Sequence, residues 1–233
     1  MDKMVIIGAG GHGRVVLDIV RAAMQFEPIG FLDANPSLQG CCMDGLEVLG
    51  DIAQLETLKI QGVKYAIVAI GDNRTRRNYA KNVEEFGLQL ACAIHPSANI
   101  AQNAVIGDNV VIAAGALVCA HCKIGNSVIL NTGCIIDHES VIANSAHVCP
   151  GAKLAGRVIV DSGAFIGIGA TIIQNVRIGT DAIVGAGTVV IKDVPPAVTV
   201  VGVPARILKN PKAQPPVRFP PNSLEDSLQP VTI

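Results

Sequence analysis

The 233-residue chain has no tryptophan, and only 3% of its residues are aromatic. A core built on large aromatic anchors is therefore excluded, and whatever packs inside must be small and aliphatic. Charge of one sign is also scarce. The 18 Lys and Arg nearly balance 19 Asp and Glu, giving a formal net charge of -1 with no basic tract. That balance argues against nucleic acid and against an anionic membrane surface as partners. No segment reaches the ~18 continuous apolar residues of a membrane span. The start, Met1-Asp2-Lys3, leads straight into a strand without a secretory cleavage pattern, so a soluble cytoplasmic protein is expected. In that compartment the seven cysteines are expected to be reduced. Cys119 and Cys122 spell CxxC, but no second pair completes a zinc site.

What the sequence does have is a period. From Ile100 through Ile106, Ile112 and Val118 to Val184 and Val190, every sixth residue is a branched aliphatic. Six fits neither the helical 3.6 nor strand alternation, and a fixed repeat is read before local propensity. Four residues after each aliphatic the side chain is small or β-branched, as at Ala116, Cys122, Cys134, Ala152 and Ala170, and this lets the chain turn a corner. Cys122 and Cys134 are thus assigned to the core. Gly, Asn and Asp fill many of the remaining positions, as turns require. Three such hexads close a triangular coil, and the chain returns about eighteen residues later one strand spacing higher, roughly 4.8 Å. The period predicts a parallel β-helix of about five coils over 96–209.

Residues 1–95 read differently. Met4 to Ile7 form a short buried strand, followed by Gly8-Ala9-Gly10-Gly11-His12-Gly13 and an apolar-periodic helix. Such a glycine loop presents backbone N–H groups at a helix N-terminus, where a phosphate can bind. Asp33, twenty residues beyond Gly13 and after a second strand (29–32), stands where a ribose-binding acid would be. Fewer than a hundred residues precede the repeat, too few for two nucleotide-binding halves, so a truncated Rossmann-like unit for one nucleotide is predicted. Further strands are expected at 46–49, 65–70 and 88–93, with helices from Asp51 to Leu58 and over 74–86. Gly71 ends the 65–70 strand and faces the same crevice as Gly10. Arg74, Arg76 and Arg77 read first as a solvated helix face, with contact to phosphates as the alternative. Residues 200–206 read as one more extended segment, and 210–233, rich in proline, as an extended or disordered tail.

Four stretches together carry a family likeness: Gly8 to Gly13, Asn131 to Glu139, His147 to Gly156 and Gly202 to Arg206. They resemble the NeuD/PglD-like nucleotide-sugar acetyltransferases, over about residues 3–208. The resemblance implies a left-handed hand for the β-helix. It also implies an acetyl-CoA-dependent N-acetyltransferase acting on the 4-amino group of a UDP- or GDP-linked 4-amino-4,6-dideoxy sugar in surface-glycan biosynthesis. By the same resemblance His138 is the general base and Glu139 raises its basicity or orients its ring. His147, Gly156, Ile168, Gly185, Ala186 and Arg206 hold acetyl-CoA, and Gly10, Gly11, His12, Asp33 and Gly71 hold the sugar nucleotide.

Register adds an independent constraint. Glu139 lies eighteen residues after His121, one coil above it, so the two can pair, or His121 is simply a polar corner. His147 lies nine residues after His138, on the far side of the prism. One chain can hardly aim both at one acetyl group, so a homotrimer with active sites between subunits is predicted. Three other readings stay open: a sialic acid O-acetyltransferase, a carbonic-anhydrase-like protein with zinc on His121, His138 and His147, and a non-catalytic nucleotide-binding trimer.

Overall fold

The computed structural model describes residues 1–208, and the tail expected over 210–233 lies outside them. The α/β unit comes first: β1 (Asp2–Ile7), α1 (Gly11–Ala23), β2 (Phe26–Leu32), the hairpin of β3 (Cys42–Met43) and β4 (Leu46–Glu47), α2 (Gln54–Ile60), β5 (Tyr65–Val68), α3 (Asn73–Glu85) and β6 (Gln89–Leu90). Its parallel sheet has the order β2-β1-β5-β6. Both faces are covered, which is why Met4, Val5, Ile6 and Ile7 form an unbroken apolar run. Met4 and Ile6 pack toward α1, and Val5 and Ile7 toward α2 and α3. Asp72 caps α3 by accepting the Thr75 N–H at 2.8 Å. Asp51 does not cap α2. It accepts the Ala53 N–H at 2.9 Å in a turn that precedes the helix.

The β-solenoid starts one hexad earlier than the aliphatic series suggested. β7 (Ala93–Ile94) pairs with Val111–Ile112, so Ile94 belongs to the period. The single strand expected over 88–93 is thus divided: β6 extends the α/β sheet and β7 opens the solenoid. The strands stack in sheets of eight, six and five, parallel except for the last pair of the eight-stranded sheet. The pairing Val111, Ile129, His147, Phe165, Ile183 shows the eighteen-residue coil. Inside, both hexad positions are buried above the first coil, where Ile100, Ala104 and Ile106 are only partly covered, and Cys122 and Cys134 are fully enclosed. The segment over 200–206 closes the stack as an antiparallel hairpin, because Gly202 takes a positive φ and turns the chain back.

Corners fall in three columns of left-handed backbone. One is all glycine, including Gly115, Gly133 and Gly151; another runs Asn109, Ser127, Ser145, Gly163, Asp181; the third runs His121, Glu139, Arg157, Asn175. Each non-glycine residue there costs roughly 1–2 kcal/mol, a strain that the stacked coils must offset. The α/β unit packs α1 onto the eight-stranded sheet, where Val16, Leu17, Ile19 and Val20 share one core with Val111 and Ile129. Full burial of side chains of this size contributes about 1.5–3 kcal/mol each, enough to fix the two units together.

Candidate active site

The crevice at the C-terminal ends of β1, β2 and β5 is built by glycine. Gly8 has φ +107°, and a Cβ on Gly13 would strike the Gly8 carbonyl. Gly10 is the N-cap of α1 and supplies no capping side chain, so the first-turn amides are not consumed by a side chain there. Asp33 Oδ2 accepts the Ala9 N–H and Oδ1 the Asn35 N–H, each at 2.8 Å, fastening the glycine loop to the end of β2. Gly10, Gly11, His12, Asp33 and Gly71 border one cavity of about 380 Å³. All five nucleotide-site residues named from the sequence are therefore brought together.

His147, buried on the solenoid, has its ring centroid 6.3 Å from that of His12. Burial, and then the Arg76 charge, push the His12 pKa down to about 4. Burial, Arg76 and His12 in turn push His147 down to about 3. Both imidazoles are neutral at neutral pH. His12 Nε2 is buried without a hydrogen-bond partner among the described residues, a position that calls for a polar ligand atom. Asn131 Nδ2 lies 3.4 Å from His147 Nε2.

Arg76 contradicts the expectation of a solvated helix face, for it is completely buried. Its guanidinium donates to the carbonyls of Ser127 at 2.8 Å, Ser145 at 3.0 Å, Ile70 at 2.9 Å and Gly71 at 3.1 Å, and to Asn73 Oδ1 at 2.8 Å. Asn73 Nδ2 reaches the Gly163 carbonyl at 2.8 Å, and Asn109 Oδ1 accepts the Val68 N–H at 2.8 Å. One corner column of the solenoid is thus pinned to the end of β5, and Gly71 is held opposite His147. Burial lowers the Arg76 pKa to about 10, and it stays charged at neutral pH.

The second half of the site is on another corner. His138 Nδ1 lies 3.0 Å from Glu139 Oε2, and Arg157 Nε, one coil higher, is 3.2 Å from the same oxygen. The Glu139 backbone is left-handed, at φ +61°, and this turns its side chain back toward its neighbour. With Nδ1–H donated to Glu139, Nε2 presents a lone pair. Gly156 lies one coil above His138, and a Cβ there would come within 2.5 Å of His138 Nε2. Glu139 does not pair with His121, whose Nε2 meets Asn103 Nδ2 at 3.2 Å instead. Ile168 is exposed on its corner, and a Cβ on Gly167 would approach the Ala186 amide at 2.7 Å, so this ridge is kept flat by glycine. A Cβ on Gly185 would likewise crowd Val201 Cγ1 at 2.8 Å. Arg206 is in the closing hairpin, with Nη1 on the Ala205 carbonyl. Among the described residues no group of three or more His, Cys, Asp or Glu side chains is placed to hold a metal ion. None of the helices there is long and apolar enough to cross a membrane.

An α/β glycine-loop crevice docked on a hexapeptide solenoid with a corner histidine-glutamate pair is the architecture of a hexapeptide-repeat acyltransferase. Residues 3–83 match the PglD N-terminal domain model, and 88–149 the GMPPB C-terminal domain model. A perosamine N-acetyltransferase variant from Caulobacter crescentus, solved with CoA and GDP-perosamine, is 39% identical with a TM-score of 0.87, covering 90% of this chain and 98% of that one. The acetyltransferase domain of PglB from Neisseria gonorrhoeae, solved with acetyl coenzyme A, is 36% identical with a TM-score of 0.84, over 88% and 98%. A UDP-N-acetylbacillosamine N-acetyltransferase of Bacillus subtilis is 35% identical over 115 residues, 49% of this chain. That match spans about half, 52%, of the curated relative. The chain belongs to the NeuD/PglD-like nucleotide-sugar acetyltransferase family.

Proposed function

We propose that the protein transfers an acetyl group from acetyl-CoA to the 4-amino group of a UDP- or GDP-linked 4-amino-4,6-dideoxy sugar, with His138 as general base. The His138–Glu139 contact at 3.0 Å carries this reading, because it leaves Nε2 as a proton acceptor at an exposed corner. The relatives solved with CoA, acetyl-CoA and GDP-perosamine support the transfer of an acetyl group to a sugar amine. The amine nitrogen attacks the thioester carbonyl carbon and forms the C–N bond. Its proton passes to His138 Nε2, the C–S bond breaks, and the departing thiolate takes a proton to leave as CoA thiol. Burial keeps His12 and His147 neutral, so they serve as hydrogen-bonding groups in the crevice rather than as fixed charges.

The test is acetyl-CoA consumption against a panel of nucleotide-linked amino sugars and against sialic acid. His138→Ala is expected to lower kcat by roughly 10²–10⁴-fold, the usual contribution of a positioned base, while the KM for the nucleotide sugar stays within a few-fold. Unchanged turnover in that variant rejects the assignment of the base. Acetylation of sialic acid with no amino sugar accepted replaces the substrate.

A further inference from the structure

His138 and Glu139 are both gripped from the coil above by one residue. The Arg157 N–H donates to the His138 carbonyl at 2.8 Å. Its Nε stands 3.2 Å from Glu139 Oε2, the same oxygen that His138 Nδ1 approaches at 3.0 Å. The main chain of the base is also held by Asp137, whose Oδ1 accepts the His138 N–H at 2.7 Å. The Glu139 carboxylate is held less firmly. Among the described residues its two partners are His138 and Arg157, and its side chain is 52% exposed.

Stability does not account for an arginine at this position. Residue 157 has φ +58°, in the left-handed region that glycine and asparagine enter most readily and a long side chain enters under strain. One coil higher the same column carries Asn175, at φ +60°. An ion pair whose side chains are 60% and 52% exposed returns less than that strain costs. Strain that folding does not need, set beside a reacting group, points to function.

Resting on the reading of His138 as the base, we propose that Arg157 is a positioning residue that holds the Glu139 carboxylate where it accepts the Nδ1–H of His138. One carboxylate oxygen has lone pairs for both donors, and the planar guanidinium gives up little freedom in meeting it. Released from Arg157, a half-exposed glutamate turns among its rotamers and into water. A carboxylate behind an imidazole fixes its tautomer and its orientation, so a wandering Glu139 no longer keeps Nε2 as a lone pair aimed at the amine.

Steady-state kinetics with both substrates varied, alongside thermal unfolding, tests this on the full chain. Arg157→Asn, which suits the left-handed corner, is expected to lower kcat roughly tenfold and leave both KM values within about twofold. Its unfolding midpoint is expected to equal or exceed that of the unaltered protein. Arg157→Lys keeps the charge without the planar fork and is expected to recover part of the lost kcat. With Glu139→Gln already in place, Arg157→Asn is expected to cost little more, because the carboxylate through which it acts is gone. A raised KM for acetyl-CoA with kcat unchanged makes Arg157 a cofactor ligand and overturns the proposal. So does an unchanged kcat, a loss accompanied by a lower midpoint or an altered mass in sedimentation, or a loss that persists in full behind Glu139→Gln. Each of those outcomes leaves the base standing, whereas undiminished turnover in His138→Ala rejects the base and this role together.

Discussion

Gly156 shows how much one missing Cβ can do. Its backbone is outside the left-handed region, so alanine adds no strain of its own, yet the new Cβ would come within 2.5 Å of His138 Nε2. The ring must move or lose its approach to the proton of the attacking amine. Gly156→Ala is expected to lower kcat by roughly 10²-fold, as displacements of about 1 Å do, with little change in the affinity for the nucleotide sugar. Steady-state kinetics with both substrates varied checks it. The buried histidines make a second prediction. With folded pKa values of about 4 for His12 and about 3 for His147, against 6.5 when unfolded, the unfolded chain binds more protons below pH 6.5. Stability from these groups is complete above 6.5 and falls as pH drops toward 4, by about 1.4 kcal/mol per pH unit for each imidazole. Denaturation midpoints from pH 7 to 4 are expected to follow that slope, and His147→Gln to reduce it.

At the scale of elements, the hexad strands were legible because a period written sixteen times leaves little choice of register, and inward residues such as Ala152 and Val160 are fully buried as their spacing requires. The glycine loop, Asp33 and Gly71 were legible for the same reason: local turn chemistry names them. Arg76 was not. On its own helix it reads as one of three exposed cations, and only docking against Ser127 and Ser145, more than fifty residues away, buries it. Asn73 and Asn109 were missed likewise, since a side chain that satisfies another unit's backbone leaves no local pattern. The division of 88–93 has the same origin, because two sheets from different units compete for one short apolar run. Arg76→Met is expected to cost about 3 kcal/mol or more, since it strands several buried carbonyls at once. Arg76→Lys restores only part, because an ammonium cannot span the fork. Chemical denaturation measures both.

In the whole molecule the two halves of the chemistry face away from each other. His147 lies beside His12 of its own chain, whereas His138 is on the corner it shares with Glu139 and Arg157. We propose that prisms stand side by side, so that each site takes His138 from one copy and the crevice from the next. In a cyclic trimer this makes a strict expectation for mixed assemblies. His138→Ala and His147→Ala homotrimers are each expected to lose most activity. In every mixed trimer, whichever variant is in the majority, one site in three has an intact base and an intact crevice, so roughly a third of wild-type activity returns. Co-expression with two affinity tags, followed by isolation of the mixed species and assay, measures it. No recovery in verified mixed trimers, or full activity in a monomer, places both histidines in one chain's site instead.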